Sequence, residues 1–273
     1  MHLHFTLLLH LQEKYYKHIV HFLSKNYTIW GNNYLDGRNN FSTDLKTRSG
    51  SEETFIALCD SDQAIAYFHR KGFPVIAFSH DDNTDESLMA SPWLILSADA
   101  LTPEFLEEVY CRYYRLPLTI TDTARCHLRE LLMADLPFLM ELQKENETNP
   151  DGCFFPTDCE DPDLFLREYI QHQYPFYNYG LYAVLEKEQN TFLGIAGFST
   201  PLESDVEDMD IEISYALLKR HQHKGYMSEV LESLIAREKE NGRFDQLTAR
   251  IHRSNHASIH MAKKQKISII LYE

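Results

Sequence analysis

The residues best suited by type and spacing to chemistry lie between Tyr215 and Tyr226. There a strand-like segment runs through Lys219-Arg-His-Gln-His-Lys-Gly into the periodic pattern of a helix. A short loop with one glycine ahead of a helix leaves several backbone N–H groups without intrahelical acceptors. With the helix dipole, such a loop can hold a pyrophosphate without a large supply of side-chain cations. Lys219, Arg220 and Lys224, with His221, His223 and more distantly His252, make it a basic island in an acidic chain. The plainer account is an ordinary strand-to-helix turn in which Gly225 supplies only backbone geometry. Glu212, on the strand leading in, reads either as a general base or as the polar face of an alternating strand. Asn255 opens a later helix, as a cap or as a ligand contact, with Ser258 one turn on. Asp60-Ser-Asp and His80-Asp-Asp follow apparent parallel strands, where open α/β sheets place their sites. Capping and solvated turns explain them as well, and no D-x-D precedes them to supply a nucleophile for phosphate chemistry.

Two sets of elements must position these groups, with a seam near Leu116–Thr123. Ahead of it, residues 12–24 carry apolar side chains at helical spacing, and Glu53–Cys59 reads as a strand. A helix follows from Asp60, taken as its cap with Gln63 as capping-box partner, to Lys71-Gly72. Phe73–Phe78 and Trp93–Ser97 are further strands, and a helix starts at Thr102-Pro103 and ends near Tyr114. This alternation implies a small parallel sheet. Beyond the seam the order is βααβββαβα: strand Arg125–Leu131, helices Ala134–Glu145 and Asp163–Gln173, then strands Tyr182–Glu186, Phe192–Phe198 and Met209–Tyr215. Helix Tyr226–Glu240, strand Gln246–Ile251 and helix Asn255–Lys264 complete it.

Composition narrows the field. The 273 residues are 44% hydrophobic and 25% charged, which excludes wholesale disorder and fibrous architectures. A formal net charge of −15 argues against a nucleic-acid binder working by electrostatics. No apolar run approaches a bilayer span; Phe5–Leu11 is interrupted by Thr6 and His10 and lacks the flanks of a signal peptide. Five scattered cysteines without a C-x-x-C pair argue against a disulfide framework or a zinc knuckle, and a cytoplasmic protein is expected. Six carboxylates between Glu203 and Glu212 read as a solvated hairpin loop that could also attract a cationic acceptor.

Over residues 123–267 the chain resembles the GNAT superfamily of N-acetyltransferases, in particular the subgroup that acetylates ribosomal-protein N-termini. The family loop Q/R-x-x-G-x-G/A is matched by Gln222, Gly225 and, in place of the last small residue, Met227. Asn255, Ser258, Met261 and Lys264 match the downstream motif. Asp210-Ile-Glu-Ile-Ser-Tyr, Phe192-Leu-Gly-Ile-Ala-Gly and Leu128-Arg-Glu with Asp135 and Leu139 match upstream elements. The alternation of elements ahead of the seam gives a small parallel-sheet α/β domain at 1–118, and the resemblance implies that an α+β acyl-CoA-binding domain with a mixed sheet follows at 119–273. It implies transfer of an acetyl group from acetyl-CoA to a primary amine, with no metal. Glu212 would be the base, and the backbone N–H groups of Ile213, Ser214 and Tyr215 would meet the thioester carbonyl. Gln222, His223, Lys224, Gly225, Tyr226 and Met227 would hold the pyrophosphate, and Asn255 the pantetheine arm. Ser258 would protonate the thiolate, because the place of the family's tyrosine is taken by Ala262.

The departures leave alternatives open. Met227 could crowd the pyrophosphate, and Gln265-Lys266-Ile267 replaces L-G-F ahead of a tail that relatives usually extend by one strand. A catalytically impaired acyl-CoA-binding or regulatory module is the alternative reading. The open sheet edge is one that a second subunit, forming a homodimer, could cover. The first domain faintly resembles half of a haloacid dehalogenase-like hydrolase. Peptide N-termini, lysine side chains, aminoglycosides, polyamines and small metabolite amines all remain candidate acceptors, with neither nucleic acid nor membrane as a partner.

Overall fold

Phe5-Thr-Leu-Leu-Leu-His is too uniformly apolar for its period to distinguish a strand from a helix. In the computed structural model it is strand β1 (Phe5–His10), with Leu7, Leu8 and Leu9 fully buried. Each such side chain contributes about 1.5–3 kcal/mol by leaving water. The structure describes residues 5–23, 27–30, 54–146, 153–199, 211–240, 242 and 247–272. Two compact units divide the chain, Met1–Leu116 and Pro117–Glu273.

In the first unit β1 sits inside a five-stranded parallel sheet. Helix α1 (Glu13–Leu23) leads to β2 (Thr28–Trp30), which lies on one side of β1; β3 (Thr54–Cys59) lies on the other. Helix α2 (Asp62–Arg70), β4 (Val75–Phe78), β5 (Trp93–Ile95) and α3 (Pro103–Tyr114) follow, giving the order β2-β1-β3-β4-β5. Helix α3 starts as its sequence dictates: the Thr102 side chain accepts a hydrogen bond from the Phe105 N–H, and Pro103 opens the first turn.

The capping box expected at Asp60 and Gln63 is not what forms. Ser61 is the residue at the cap, with no side-chain bond to the helix. Asp60 instead accepts the Gln12 N–H at 2.6 Å and stands 3.2 Å from His80 Nε2, both side chains only 4% exposed. The Tyr15 ring stacks on His80 at 3.7 Å. Asp62 accepts the N–H groups of Ser87 and Leu88, while Glu86 accepts the Asp62 N–H. The carboxylates that follow these strands thus latch the ends of β1, β3 and β4 together. Among the described residues no group of three or more His, Cys, Asp or Glu is placed to hold a metal ion.

The second unit has a seven-stranded mixed sheet in the order β12-β11-β10-β9-β8-β7-β6. Strands β6 (Thr119–Asp122) and β7 (Cys126–Glu130) precede helix α4 (Leu136–Glu145). Arg129 grips Asp135 with two hydrogen bonds of 2.7 and 2.8 Å, and Asp135 also accepts the Leu132 N–H, fixing the turn from β7 into α4. The expected helix Asp163–Gln173 is α5 (Pro162–Glu168), which continues through a π-helical turn, Tyr169–Gln173, into α6 (Tyr174–Tyr177). Tyr174, fully buried, donates to the Leu181 carbonyl and accepts the Leu131 N–H, closing that turn over the sheet.

Strands β8 (Leu181–Glu186), β9 (Thr191–Ser199) and β10 (Ile211–Leu217) run antiparallel to one another; residues 200–210, including most of the acidic run, lie outside the described set. Helix α7 (Tyr226–Glu240) has the bounds expected from its apolar face, and Val230, Leu231 and Leu234 are fully buried. Strand β11 (Leu247–His252) and helix α8 (His256–Lys264) follow. A reading that ends on α8 misses β12 (Ser268–Tyr272), which pairs parallel with β11 from Thr248↔Ser268 to His252↔Tyr272. The tail therefore extends the sheet, and β12 is its edge strand. Among the described residues no helix is long and apolar enough to cross a membrane.

Candidate active site

Among the described residues, strands β10 and β11 pair at Ile211↔Leu247 and Glu212↔Thr248, although β10 continues to Leu217 and β11 to His252. Beyond Glu212 the facing edges of the two strands are no longer paired with each other among the described residues and form a notch within the sheet. A cavity of about 740 Å³ lies here. Its lining includes Tyr215–Leu217 of β10, the loop into α7, and Asn255–Ser258 with His260 and Met261 of α8.

The loop is shaped for an anion. His223 and Gly225 both take left-handed backbone conformations, at φ 61° and 82°. Among the described residues, the first N–H of α7 with a bonded acceptor is that of Glu229, to the Gly225 carbonyl, so the preceding N–H groups open toward the cavity end of the helix. Gln222 donates its side-chain amide to the Leu217 carbonyl at 2.9 Å and so ties the loop back to β10.

Side-chain charge contributes less than the sequence implied. Arg220 is paired with Glu141, and the Lys219 N–H is bound by Glu145. Burial, then the charges of Arg220 and Lys224, push His221 below the usual imidazole range, so it is neutral at pH 7. Met227, expected to crowd the pyrophosphate, is 6% exposed and packs into the core with Val230 and Leu231. It also forms part of the cavity wall, at the first turn of α7.

The structure gathers most of the expected residues and separates the others. Tyr215, Gln222, His223, Gly225, Tyr226, Met227, Asn255 and Ser258 all line the cavity. Asn255 is a helix cap, its side-chain oxygen accepting the Ser258 N–H at 3.1 Å, as well as part of the wall. Ser258 offers its carbonyl to the Tyr215 hydroxyl at 3.0 Å. Ala262 is fully buried in the core. Glu212, Ile213, Ser214 and Lys224 are not part of the lining. Ile213 is a core residue, and Glu212 stands at the vertex of the notch, 3.9 Å from Arg250.

Sequence reasoning missed Arg125. It precedes β7 and is about a hundred positions from the loop, yet its guanidinium binds the Lys224 carbonyl and the Glu229 carboxylate and lies over the Tyr226 ring. No local pattern signals a contact at that separation. Two glycines of β9 have a visible sequence signal whose meaning is only spatial. A Cβ on Gly194 would lie 2.0 Å from the Ala216 carbonyl oxygen, and one on Gly197 2.1 Å from that of Gly180. Gly194 lets β9 approach the backbone of Ala216 and Leu217, which form one wall of the cavity, and Gly197 lets it approach the start of β8.

The second unit thus combines a mixed sheet, parted between β10 and β11, with a helix N-terminus beside the parting. The family model for the acetyltransferase (GNAT) domain matches residues 125–267, which is over half of the chain. The chain belongs to the GNAT acetyltransferases, enzymes that transfer acetyl groups from acetyl-CoA.

Solved structures similar to it include a putative GNAT-family acetyltransferase from Bordetella pertussis. It is 23% identical with a TM-score of 0.46, over 54% of this chain and 87% of that one. An acetyltransferase from Agrobacterium tumefaciens str. C58 is 22% identical, with a TM-score of 0.45 over 54% and 81%. One from Salmonella typhimurium, described as modifying the N-terminal serine of ribosomal protein L7/L12, is 19% identical with a TM-score of 0.42 over 54% and 83%. A search of curated proteins finds no match. The family match covers none of the first unit, and the hydrolase-like resemblance expected there finds no support.

Proposed function

We propose that the second unit moves an acetyl group from acetyl-CoA to a primary amine, a peptide N-terminus or a small-molecule amine, by direct attack. The observation that carries this reading is the parting of β10 from β11 beyond Glu212, next to the unbonded N–H groups at the start of α7. When bound, acetyl-CoA supplies an activated thioester at the end of a flexible arm and phosphates at the other. The notch suits the arm, and the loop from Gln222 to Met227 suits the phosphates.

Glu212, at the vertex, takes the proton that the acceptor must shed, directly or through water. An α-amine with a pKa of about 7.7–8.0 needs only modest help. Along β10 successive N–H groups alternate sides, so those of Ile213 and Tyr215 are turned to the β11 side to stabilise charge on the thioester oxygen, while Ser214, opposite Gly197, is turned to β9. Ser258, on the first turn of α8 and in the cavity wall, supplies the proton for the departing thiolate.

Direct attack is favoured over a covalent cysteine intermediate because no cysteine lines the cavity. Cys126 is fully buried, and burial pushes its thiol up to about 11 against the opposing hydrogen bond from Thr123. A thiol with that pKa is protonated, hence a poor nucleophile, throughout the neutral range. Cys59 and Cys111 are also buried, whereas Cys153 and Cys159 are partly exposed. A chromogenic disulfide reagent at pH 8 is therefore expected to titrate those two thiols in the native protein and all five in denaturant. Rapid reaction of Cys126 in the native state would contradict its assigned environment.

A screen of amine acceptors with acetyl-CoA, read by release of free thiol, tests the reaction itself. With the best acceptor, Glu212→Gln is expected to lower kcat about a hundredfold while the acetyl-CoA dissociation constant stays within about twofold. An unchanged kcat would remove Glu212 from the mechanism.

A further inference from the structure

We infer that Arg125 is a positioning residue for the phosphate-binding turn, neutralising Glu229 and fixing the Lys224 carbonyl so that the start of α7 presents only positive potential to an anion. The inference rests on the acetyl-CoA reading of this cavity and adds a residue outside the loop motif.

Glu229 lies in the first turn of α7, the turn whose N–H groups and dipole make it an anion site. Burial alone would raise its carboxyl, but hydrogen bonds from Thr123 and Arg125 outweigh that and hold it below the ordinary carboxylate range. Glu229 is therefore a full negative charge within one turn of the position where a phosphate would sit. Left alone, it would repel that phosphate and cancel much of the dipole's attraction.

Arg125 answers that charge with unusual completeness. Its backbone N–H and its Nε each donate to a different oxygen of Glu229, both at 2.8 Å. Its Nη1 donates to the Lys224 carbonyl at 3.0 Å, directing that oxygen to the guanidinium instead of toward an incoming anion. The guanidinium carbon stands 4.6 Å from the centre of the Tyr226 ring, and Nη2 is 3.4 Å from where a Cβ on Gly225 would be. One planar group thus touches Lys224, Tyr226 and Glu229 and borders Gly225. Lysine has the charge but cannot reproduce this fork.

Stability gives a poor reason for the arrangement. The Arg125 and Glu229 side chains are 47% and 23% exposed, and pairs open to solvent contribute little to folding. The contribution to an anion site is of another kind, because it removes a repulsion felt only when a phosphate arrives.

The test compares a ligand that carries the phosphates with one that lacks them. Acetyl-CoA affinity is measured by calorimetry and that of S-acetylpantetheine by ligand-observed NMR titration, which reads millimolar binding. Arg125→Met is expected to weaken acetyl-CoA about tenfold while S-acetylpantetheine changes by less than about twofold. The double variant Arg125→Met/Glu229→Gln is expected to regain most of the loss, since the exposed negative charge is gone. Arg125→Lys is expected to fall between wild type and Arg125→Met, and carries the same comparison if the methionine variant does not fold. Equal weakening of both ligands would mark Arg125 as merely structural and overturn the proposal, as would undiminished acetyl-CoA affinity. Failure of the wild type to bind acetyl-CoA would instead overturn the functional reading on which it rests.

Discussion

Replacing Gly225 with glutamate is expected to weaken acetyl-CoA binding by about a hundredfold or more, with the protein still folded. Two effects combine. The residue sits at φ 82°, a left-handed conformation that costs a non-glycine residue about 1–2 kcal/mol. The new carboxylate would also stand among the N–H groups offered to the phosphates, replacing attraction by like-charge repulsion. Gly225→Ala separates the two contributions. Its Cβ would meet only Arg125 Nη2, at 3.4 Å, so it adds backbone strain and almost no steric conflict. The alanine variant is expected to lose about tenfold or less, and the gap between the variants measures the electrostatic part. Equal affinity of wild type and Gly225→Glu would remove the loop from cofactor binding.

Gly194→Val is expected to destabilise the protein by about 3 kcal/mol or more, read as a shift in the urea midpoint of the transition that reports the mixed sheet. The Cβ it introduces would lie 2.0 Å from the Ala216 carbonyl oxygen and 2.8 Å from Leu217 Cα. Both are backbone atoms, so relief requires β10 to move away from β9. Tyr215, Ala216 and Leu217 line the cavity, so a variant that survives by shifting β10 should also lose acetyl-CoA affinity. Gly72→Ala is a useful contrast: φ is also positive, at 80°, but nothing lies within 4 Å of the added Cβ. Only strain applies there. A Gly194→Val protein with wild-type stability would show that this close approach is not required.

The pattern of success in reading the sequence follows from the range of the interactions. Helix α7 was legible to the residue because Tyr226, Val230, Leu231 and Leu234 repeat at helical spacing and Gly225 stops the preceding loop. Thr102-Pro103 was legible because a cap is a contact between near neighbours. Strand β1 was not, since Leu7, Leu8 and Leu9 are buried together in the interior of a parallel sheet and show no alternation. Asp60 was misassigned because its partners, Gln12 and His80, are brought to it by the ends of two other strands, β1 and β4. A local rule preferred a capping box that the fold had no need to make.

The site divides in the same way. Gln222, His223, Gly225, Tyr226, Met227, Asn255 and Ser258 could be found from motif spacing, and they line one cavity. Their electrostatics could not be read from composition. The loop looks strongly basic in sequence, but Glu141 occupies Arg220 and burial keeps His221 neutral. Arg125, which organises the turn, lies 99 positions before Lys224 in the sequence. Met227 has two sides that a family pattern does not separate: it packs into the core with Val230 and Leu231 and also forms part of the cavity wall.

The most direct test is a calorimetric titration of the purified chain with acetyl-CoA, using ATP as a phosphate-bearing control. Micromolar binding of acetyl-CoA, with ATP much weaker, is the predicted result, because the notch between β10 and β11 selects the acyl-pantetheine arm while the loop takes the phosphates. No binding by a protein shown to be folded, or equal binding of ATP, would contradict the account.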